Sequence, residues 1–416
     1  MCRLTSLKGQ GQRSIARLKR IKERFASSQR SIIWDGKDNS QQILPPGVYN
    51  LRIKAADLLG NVTVMNGPAI TIASYLGEGP MPEEVSSSLS RMRLFRVAPT
   101  ESSDPKNQIN PAIDLFGTIV WQDYRNGNWD IYQCSGSRVI RITTDPAPQE
   151  NPAVYGDTVV WQDYRSGDWD IYYKVGIQAE VGIVLPQDQI NPCISGNRIV
   201  FESDGNIYLY TIGTIGGQIR QITSHVRDQG LPRIDGDIIV WQDSRFGDPL
   251  IYAYDIAHST EMQITPIDEE NHTRHINPCV SGGYIMWADN RSGNYDICQY
   301  RISDGSTQRL TFGPTDQTRP YIFGSHFVYS DHNAGSDDDA GDDGGEGNDD
   351  SAGNGNEDIA FGSTISFISE RVVIDSAQQQ NPCLSGTGPY TIVWQDNRSG
   401  HWEIYRGLLD HRPRTA

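Results

Sequence analysis

Seven near-copies of one segment, a period close to forty residues, and four short strand-like runs in each copy predict an all-β fold. The class is a seven-bladed β-propeller of four-stranded antiparallel blades. The copies align on Trp121, Trp161, Phe201, Trp241, Trp287, Tyr329 and Trp394, at spacings of 40, 40, 40, 46, 42 and 65 residues. One four-stranded sheet cannot bury both of its faces alone, and sheets stacked around an axis bury each other.

The second copy gives the parse. "NPAVYG" (Asn151–Gly156) reads as a short strand ending in a turn. "TVVWQD" (Thr158–Asp163) is an apolar run, as expected for a strand covered on both faces. "YRSGD" makes a hairpin loop in which Gly167 is free to take positive φ, and "WDIYYKV" (Trp169–Val175) returns. A fourth strand follows, clearest as "RVIRIT" in the first copy and "EMQIT" in the fourth. A loop bearing Pro and Gln then leads to the next "NP".

The last copy ends "IVWQDNRSGHWEIYRGLLDHRPRTA", too short for its own fourth strand. "RLFRVAPTESSDPKNQINP" precedes the first copy and reads as a fourth strand and exit loop with nothing in front of them. Arg93–Val97 is therefore expected to complete the last blade and remove the exposed edges of an open ring. The propeller is placed at residues 93–410, with residues 411–416 as a tail. Residues 331–358 are read as an acidic loop inserted in the sixth hairpin.

The "WQDxRxGxWDIY" segments resemble the TolB-type propeller repeat of many bacterial and archaeal surface and periplasmic proteins, over about three quarters of the chain. That resemblance implies the fold and an address in the periplasm, at the cell surface or outside the cell. It leaves the task open, because such propellers serve many. Within residues 13–74, "IIWDGKDNSQQILPPGVYNLRIKAADLLGNVT" resembles the latter half of the Ig-like module of flagellar hook-capping proteins, which implies a partial Ig-like β-sandwich module. "WDGKD" and "PPG" read as turns and "VYNLRIKA" as an alternating strand. A rival reading is an amphipathic helix bearing Ile15, Leu18, Ile21 and Phe25. Residues 1–12 are read as a basic tail and residues 75–92 as a linker.

The 416 residues carry a net charge of −16. Residues 1–30 hold +8 and residues 331–358 hold −11, leaving −13 for the rest. An acidic body excludes a nucleic-acid partner, which needs a basic face. No run of about 18 apolar residues occurs, so no membrane span is expected. The first residues are basic with no apolar run behind them and do not read as a secretory signal; either the protein stays inside or the chain lacks the true start. Cys193, Cys279 and Cys383 follow "NP" where Ala112 and Ala153 stand in the first two copies, which reads as a buried position wanting a small side chain.

Most full copies hold an Asp, an Arg two residues on, and a second acid beyond a Gly. The sets are Asp123/Arg125/Asp130, Asp163/Arg165/Asp170, Asp289/Arg291/Asp296 and Asp396/Arg398/Glu403; the fourth copy keeps Asp243 and Arg245. Repetition in blade after blade favours structural loop clasps built from charge-assisted hydrogen bonds over a binding ring, because an active site needs one special place. In a four-stranded meander these loops share one face with the "QxNP" entries and the insert. Asn110, Asn151, Asn191, Asn277 and Asn381 are expected near the mouth of the axial channel, as turn caps or as a binding face.

Asp331, Asn333, Asp337 and Asp339 have the alternate oxygen ligands of a weak calcium loop, but no bidentate Glu at the twelfth position; a solvated acidic loop is the competing reading. His272 and His275 form the one close histidine pair, a candidate transition-metal site or an ordinary surface loop. No Gly-rich phosphate loop, HExxH helix or GxSxG elbow is present. The enzyme analogy is the oligogalacturonate lyases, seven-bladed relatives whose manganese is held by histidines and a glutamine. The expected function is a non-catalytic, monomeric binding or scaffold module of a prokaryotic envelope or secreted protein, with no required cofactor, taking a protein or polysaccharide on one loop face. The alternatives are a metal-dependent polysaccharide lyase and a calcium-dependent acidic adhesin.

Overall fold

The computed structural model describes residues 92–98, 106–332 and 357–409, apart from short gaps at 137, 214–215, 226–227, 269, 365–368, 374–376 and 387–389, and four strands nearer the start. Two units divide the chain, residues 1–81 and 82–416. The larger is a seven-bladed β-propeller of four-stranded antiparallel blades.

The second blade represents the pattern. Its strands run Gln149–Tyr155, Thr158–Asp163, Asp170–Val175 and Val181–Ile183, each paired with the next. Burial follows position. Thr158–Asp163 is buried throughout, whereas the outermost strand of the third blade, Gln218–Gln221, is exposed throughout. A strand between two others, with a blade on either face, can be apolar at every position. Trp169 lies just before its strand, because its carbonyl accepts the backbone N–H of Gln189 at the start of the next blade (2.6 Å). The same link joins Trp129 to Gln149 (2.8 Å) and Tyr295 to Gln317 (2.7 Å). The hairpin loops between second and third strands therefore share a face with the entries to the following blades.

Apolar packing lies mainly between blades. Seven buried clusters each combine side chains from two neighbouring blades, one cluster for each interface around the ring. In the cluster between the first and second blades, Val120 and Ile131 meet Val154, Val159 and Trp161. The aligned aromatic of each second strand is almost completely buried, from Trp121 at 0% to Tyr329 at 4% exposure.

Ring closure uses an earlier piece of chain. Met92–Arg96 pairs antiparallel with Glu403–Leu409, matching Leu94 to Gly407 and Arg96 to Tyr405, and becomes the outer strand of the seventh blade. The strand begins one residue before the sequence expectation. Leu94 is buried in the cluster between the sixth and seventh blades, and Arg96 Nε meets the buried Glu403 carboxylate at 3.3 Å.

The ends of the acidic segment belong to strands. His326–His332 and Glu357–Ser363 pair as far as His332 with Glu357, so Asp331 and Asp358 are opposite partners in a ladder. The insert proper, 333–356, lies outside the described residues.

Near the start, Cys2–Ser6, Ser14–Leu18, Gly47–Ala56 and Val62–Ile72 form one four-stranded antiparallel sheet. This corrects two readings. Part of the expected basic tail is a strand, because Cys2–Ser6 finds its partner in the alternating run Gly47–Ala56. Ser14–Leu18 is a strand and not the start of a helix. A single sheet does not support an Ig-like sandwich. The linker at 75–92 lies outside the described residues except Met92.

The closing strand should act as a latch. Leu94→Ala is expected to cost about 2–3 kcal/mol in urea unfolding. A chain starting after residue 98 should self-associate with concentration in size exclusion, because Glu403–Leu409 then becomes an open edge. A truncated chain that stays monomeric and equally stable would contradict the latch.

Candidate functional site

The fourteen-residue signature builds one compact unit. Asp123 ends the second strand of the first blade and is fully buried. Its Oδ2 accepts the indole N–H of Trp121 (2.9 Å) and Arg125 Nη2 (2.6 Å). Its Oδ1 accepts Arg125 Nε (2.9 Å) and the Arg125 backbone N–H (3.0 Å). The guanidinium lies 4.6 Å from the centre of the Tyr132 ring, which stacks on Trp121. Asp163, Asp243, Asp289 and Asp396 repeat this with Arg165, Arg245, Arg291 and Arg398. A carboxylate buried at this depth stays ionised only with donors on all its lone pairs. At Asp289, burial pushes the carboxyl upward, but the His275 ring at 3.1 Å and the hydrogen bonds from Arg291 outweigh it and hold it well below the usual carboxylate range.

Among the described residues Arg125, Arg165 and Arg291 hold the first acid of their hairpin and do not bridge to the second, which corrects the three-residue clasp expected from spacing. The second acid is held separately, mostly by the next strand outward. Arg141 binds Asp130 (2.9 Å), Arg309 binds Asp296 (2.7 Å) and Arg96 binds Glu403. Ser166 donates to Asp170 within its loop, and burial raises the Asp170 carboxyl. Hydrogen bonds with i, i+2 spacing satisfy the first acid locally, so the second is left for the outer strand.

The recurrent asparagines lie where the inner strands enter the axial channel. Each inner strand carries one extra residue there, so that Asn151 and Pro152 stand against Trp161 alone. The bulge needs left-handed backbone, and φ is 48° to 55° at Asn110, Asn151, Asn191, Asn277 and Asn381. Asn tolerates this conformation, whereas Leu231 and Arg319 adopt it in the fourth and sixth blades at φ 53° and 50°. The amides also join blades. Gln122 Oε1 accepts Asn110 Nδ2 in its own blade and the Asn151 backbone N–H in the next, both at 2.9 Å. Gln162 and Glu202 continue the chain to Asn191 and Leu231, and Gln395 links Asn381 to Asn110. Among the described residues the chain stops at the fourth blade, and the Asn277 side chain joins no bond.

Behind this ring is a cavity of about 320 Å³ along the axis. The residue after each Asn-Pro, or its equivalent, faces it: Ala112, Ala153, Cys193, Arg233, Cys279, Tyr321 and Cys383 in blade order. Burial pushes the Cys279 and Cys383 thiols up to about 12, so they stay protonated and uncharged near neutrality. Arg233 and Tyr321 were not singled out from sequence. The signal was available, since they break a run of small residues at one aligned position.

His272 and His275 do not come together on a ligand. His272 is exposed and pairs with Asp248 (2.9 Å), while His275 is buried, 3.1 Å from Asp289 and edge-on to Trp287. His275 occupies the place held elsewhere by Gln108, Gln149, Gln189, Gln229, Gln317 and Gln379. Among the described residues no three His, Cys, Asp or Glu converge as a metal group. Asp331 accepts the Thr315 hydroxyl (2.8 Å), while Asn333, Asp337 and Asp339 lie outside the described residues.

The loop face carries exposed rings. Tyr124 and Trp129 meet edge to face with centroids 5.1 Å apart, and Tyr164 and Trp169 pair at the same distance one blade on. Phe246 and Phe312 are exposed on later loops of the face. The third blade's hairpin is a two-residue turn, Asp204-Gly205, with positive φ at both, so this face is notched between the second and fourth blades.

No family model matches this chain, and no curated protein does. Solved structures match its fold. An oligogalacturonate lyase from Vibrio parahaemolyticus aligns with a TM-score of 0.57 at 10% identity, covering 78% of this chain and 96% of that one. Virginiamycin B lyase from Staphylococcus aureus aligns at 0.51 and 11% identity, covering 76% and 99%. TolB from Acinetobacter baumannii aligns at 0.41 and 18% identity, covering 64% and 62%. At these identities the likeness is one of fold. No helix among the described residues is long and apolar enough to cross a membrane.

Asp289→Asn should destabilise the chain by about 1–2 kcal/mol at neutral pH, because the carboxylate's charge-assisted hydrogen bonds are lost while the half-exposed Arg291 can still turn to solvent. The Asp289 carboxyl is depressed in the fold, so its contribution is complete above the unfolded value near 4 and fades as pH falls below it. Urea unfolding of both proteins should show the gap narrowing below about pH 4. A gap constant from pH 7 to pH 3 would contradict the pairing.

Proposed function

We propose that the chain is a non-catalytic binding module which displays a rigid loop face to a polysaccharide, with a protein as the competing occupant. The observation that carries this reading is the repeated Tyr–Trp pair on adjacent blades, Tyr124 with Trp129 and Tyr164 with Trp169. Tyr124 and Tyr164 are 38% and 41% exposed, yet each begins a hairpin whose next residue, an arginine, is fixed on a buried Asp. Flat rings paired on an anchored hairpin suit the apolar face of a sugar, and the surrounding Asn and Asp side chains supply hydrogen bonds. Rigid display needs no cofactor and no second subunit. An address in the prokaryotic envelope or outside the cell is supported by the repeat's resemblance alone.

Affinity electrophoresis through gels containing neutral and acidic polysaccharides tests the reading. At least one polysaccharide should retard the protein, and Tyr124→Ala with Tyr164→Ala should weaken that retention about tenfold while the unfolding midpoint stays within about 2 °C. No retardation by any polysaccharide, or retardation that survives both substitutions, would turn the search to protein partners.

A further inference from the structure

The axial cavity has one charged side. Toward the first three blades its mouth is closed by the amide chain through Gln122, Gln162 and Glu202, and those asparagines are used up in holding blades together. Toward the fourth to sixth blades the amide chain is absent among the described residues. Arg233 faces the cavity there, and its one hydrogen bond runs from Nη1 to the Pro232 carbonyl (2.9 Å). Among the described residues no carboxylate pairs with it. Arg319, the other cation of the lining, is already neutralised by Glu357 at 2.9 Å. Cys279 and Tyr321, on the inner strands of the fifth and sixth blades, line the cavity with Arg233, and burial raises both groups so that they stay neutral. Asn277 stands beside them with a free side-chain amide.

A guanidinium beside apolar walls and without a counter-ion is an incomplete site. Arg233 is half-buried, and its remaining N–H groups offer an anion charge-assisted hydrogen bonds that no carboxylate among the described residues takes up. We propose that the axial cavity binds a small monocarboxylate, its two oxygens on the fork of Arg233 and its body against the apolar wall, with Asn277 donating from the rim. The single uncompensated charge matches a monoanion, and the planar fork matches a carboxylate. The cavity is near the low end of ordinary ligand pockets, about 300–1,000 Å³, which selects a small molecule over a chain. The acidic body, net −16 over the whole chain, repels polyanions from the same entrance. None of the loop-face aromatic pairs lines this cavity, so the site goes beyond the polysaccharide reading and either can fail alone.

The test compares unfolding midpoints in sodium acetate or sodium benzoate with those in sodium chloride at equal ionic strength. At about 50 mM, one of the carboxylates should raise the midpoint by about 2 °C or more over chloride. Arg233→Met should remove the rise, and Arg220→Met, on an exposed outer strand, should keep it. If Arg233→Met does not fold, the Nε–Hε NMR signal of Arg233 in the unmodified protein reads the same contact and should shift in a saturable way. No rise and no shift with either carboxylate, or a rise that persists in folded Arg233→Met, would overturn the proposal.

Discussion

Most blades of this protein turn on a buried carboxylate that is never left short of donors. The Asp at the end of the second strand accepts a tryptophan N–H from within the sheet and an arginine fork from the loop that follows. The arginine then covers the tyrosine of the third strand, which stacks on the tryptophan. Strand two, the hairpin and strand three are thus fastened at one point. Removing the Asp would strand a cation and an indole N–H together, which is why Trp, Asp, Arg and Tyr recur as a set in four of the blades. The indole lost in the third blade shows the same logic reversed: with Phe201 in place of Trp, Ser203 replaces Asp and the loop shrinks to a tight turn.

A ring of such units still has to close and to hold its register. Closure comes from Met92–Arg96, whose Arg96 serves the second acid of the seventh blade as Arg141 and Arg309 serve theirs. Register at the axis comes from the left-handed bulge and the Gln–Asn relay. The relay is broken on one side, and the departure coincides with Arg233 and Tyr321. Symmetric positions carry stability, and the place where symmetry fails is the place with unspent polar groups. The same distinction separates the buried Asp–Arg braces from the Tyr–Trp pairs, each an exposed tyrosine on a half-buried tryptophan, which among the described residues occur on two adjacent blades.

The blades were legible in sequence because a period-forty repeat, apolar second strands and turn residues all pointed the same way. Closure was legible from a missing strand at one end and a surplus strand at the other. The partner of each acid was less legible. Spacing placed Asp123, Arg125 and Asp130 near each other, but it could not tell that Arg141, from the outer strand, takes the third. His272 and His275 are three residues apart in sequence, yet one is held at the surface and the other behind Trp287. Arg233 escaped notice because alanine and cysteine dominate its aligned position in the copies that are easiest to read. Cys2–Ser6 was hidden by the charge around it, which outweighed a short alternating pattern.

The central claim is that the repeated Asp and Arg work as one structural brace and not as separate ligand contacts. A double-mutant cycle on Asp123 and Arg125, read by urea unfolding, addresses it directly. The brace predicts a coupling energy of about 2 kcal/mol or more between Asp123→Ala and Arg125→Ala. It also predicts that polysaccharide retention survives in whichever variants fold. Additive losses with no coupling, together with loss of retention in a fully folded Arg125→Ala protein, would contradict it.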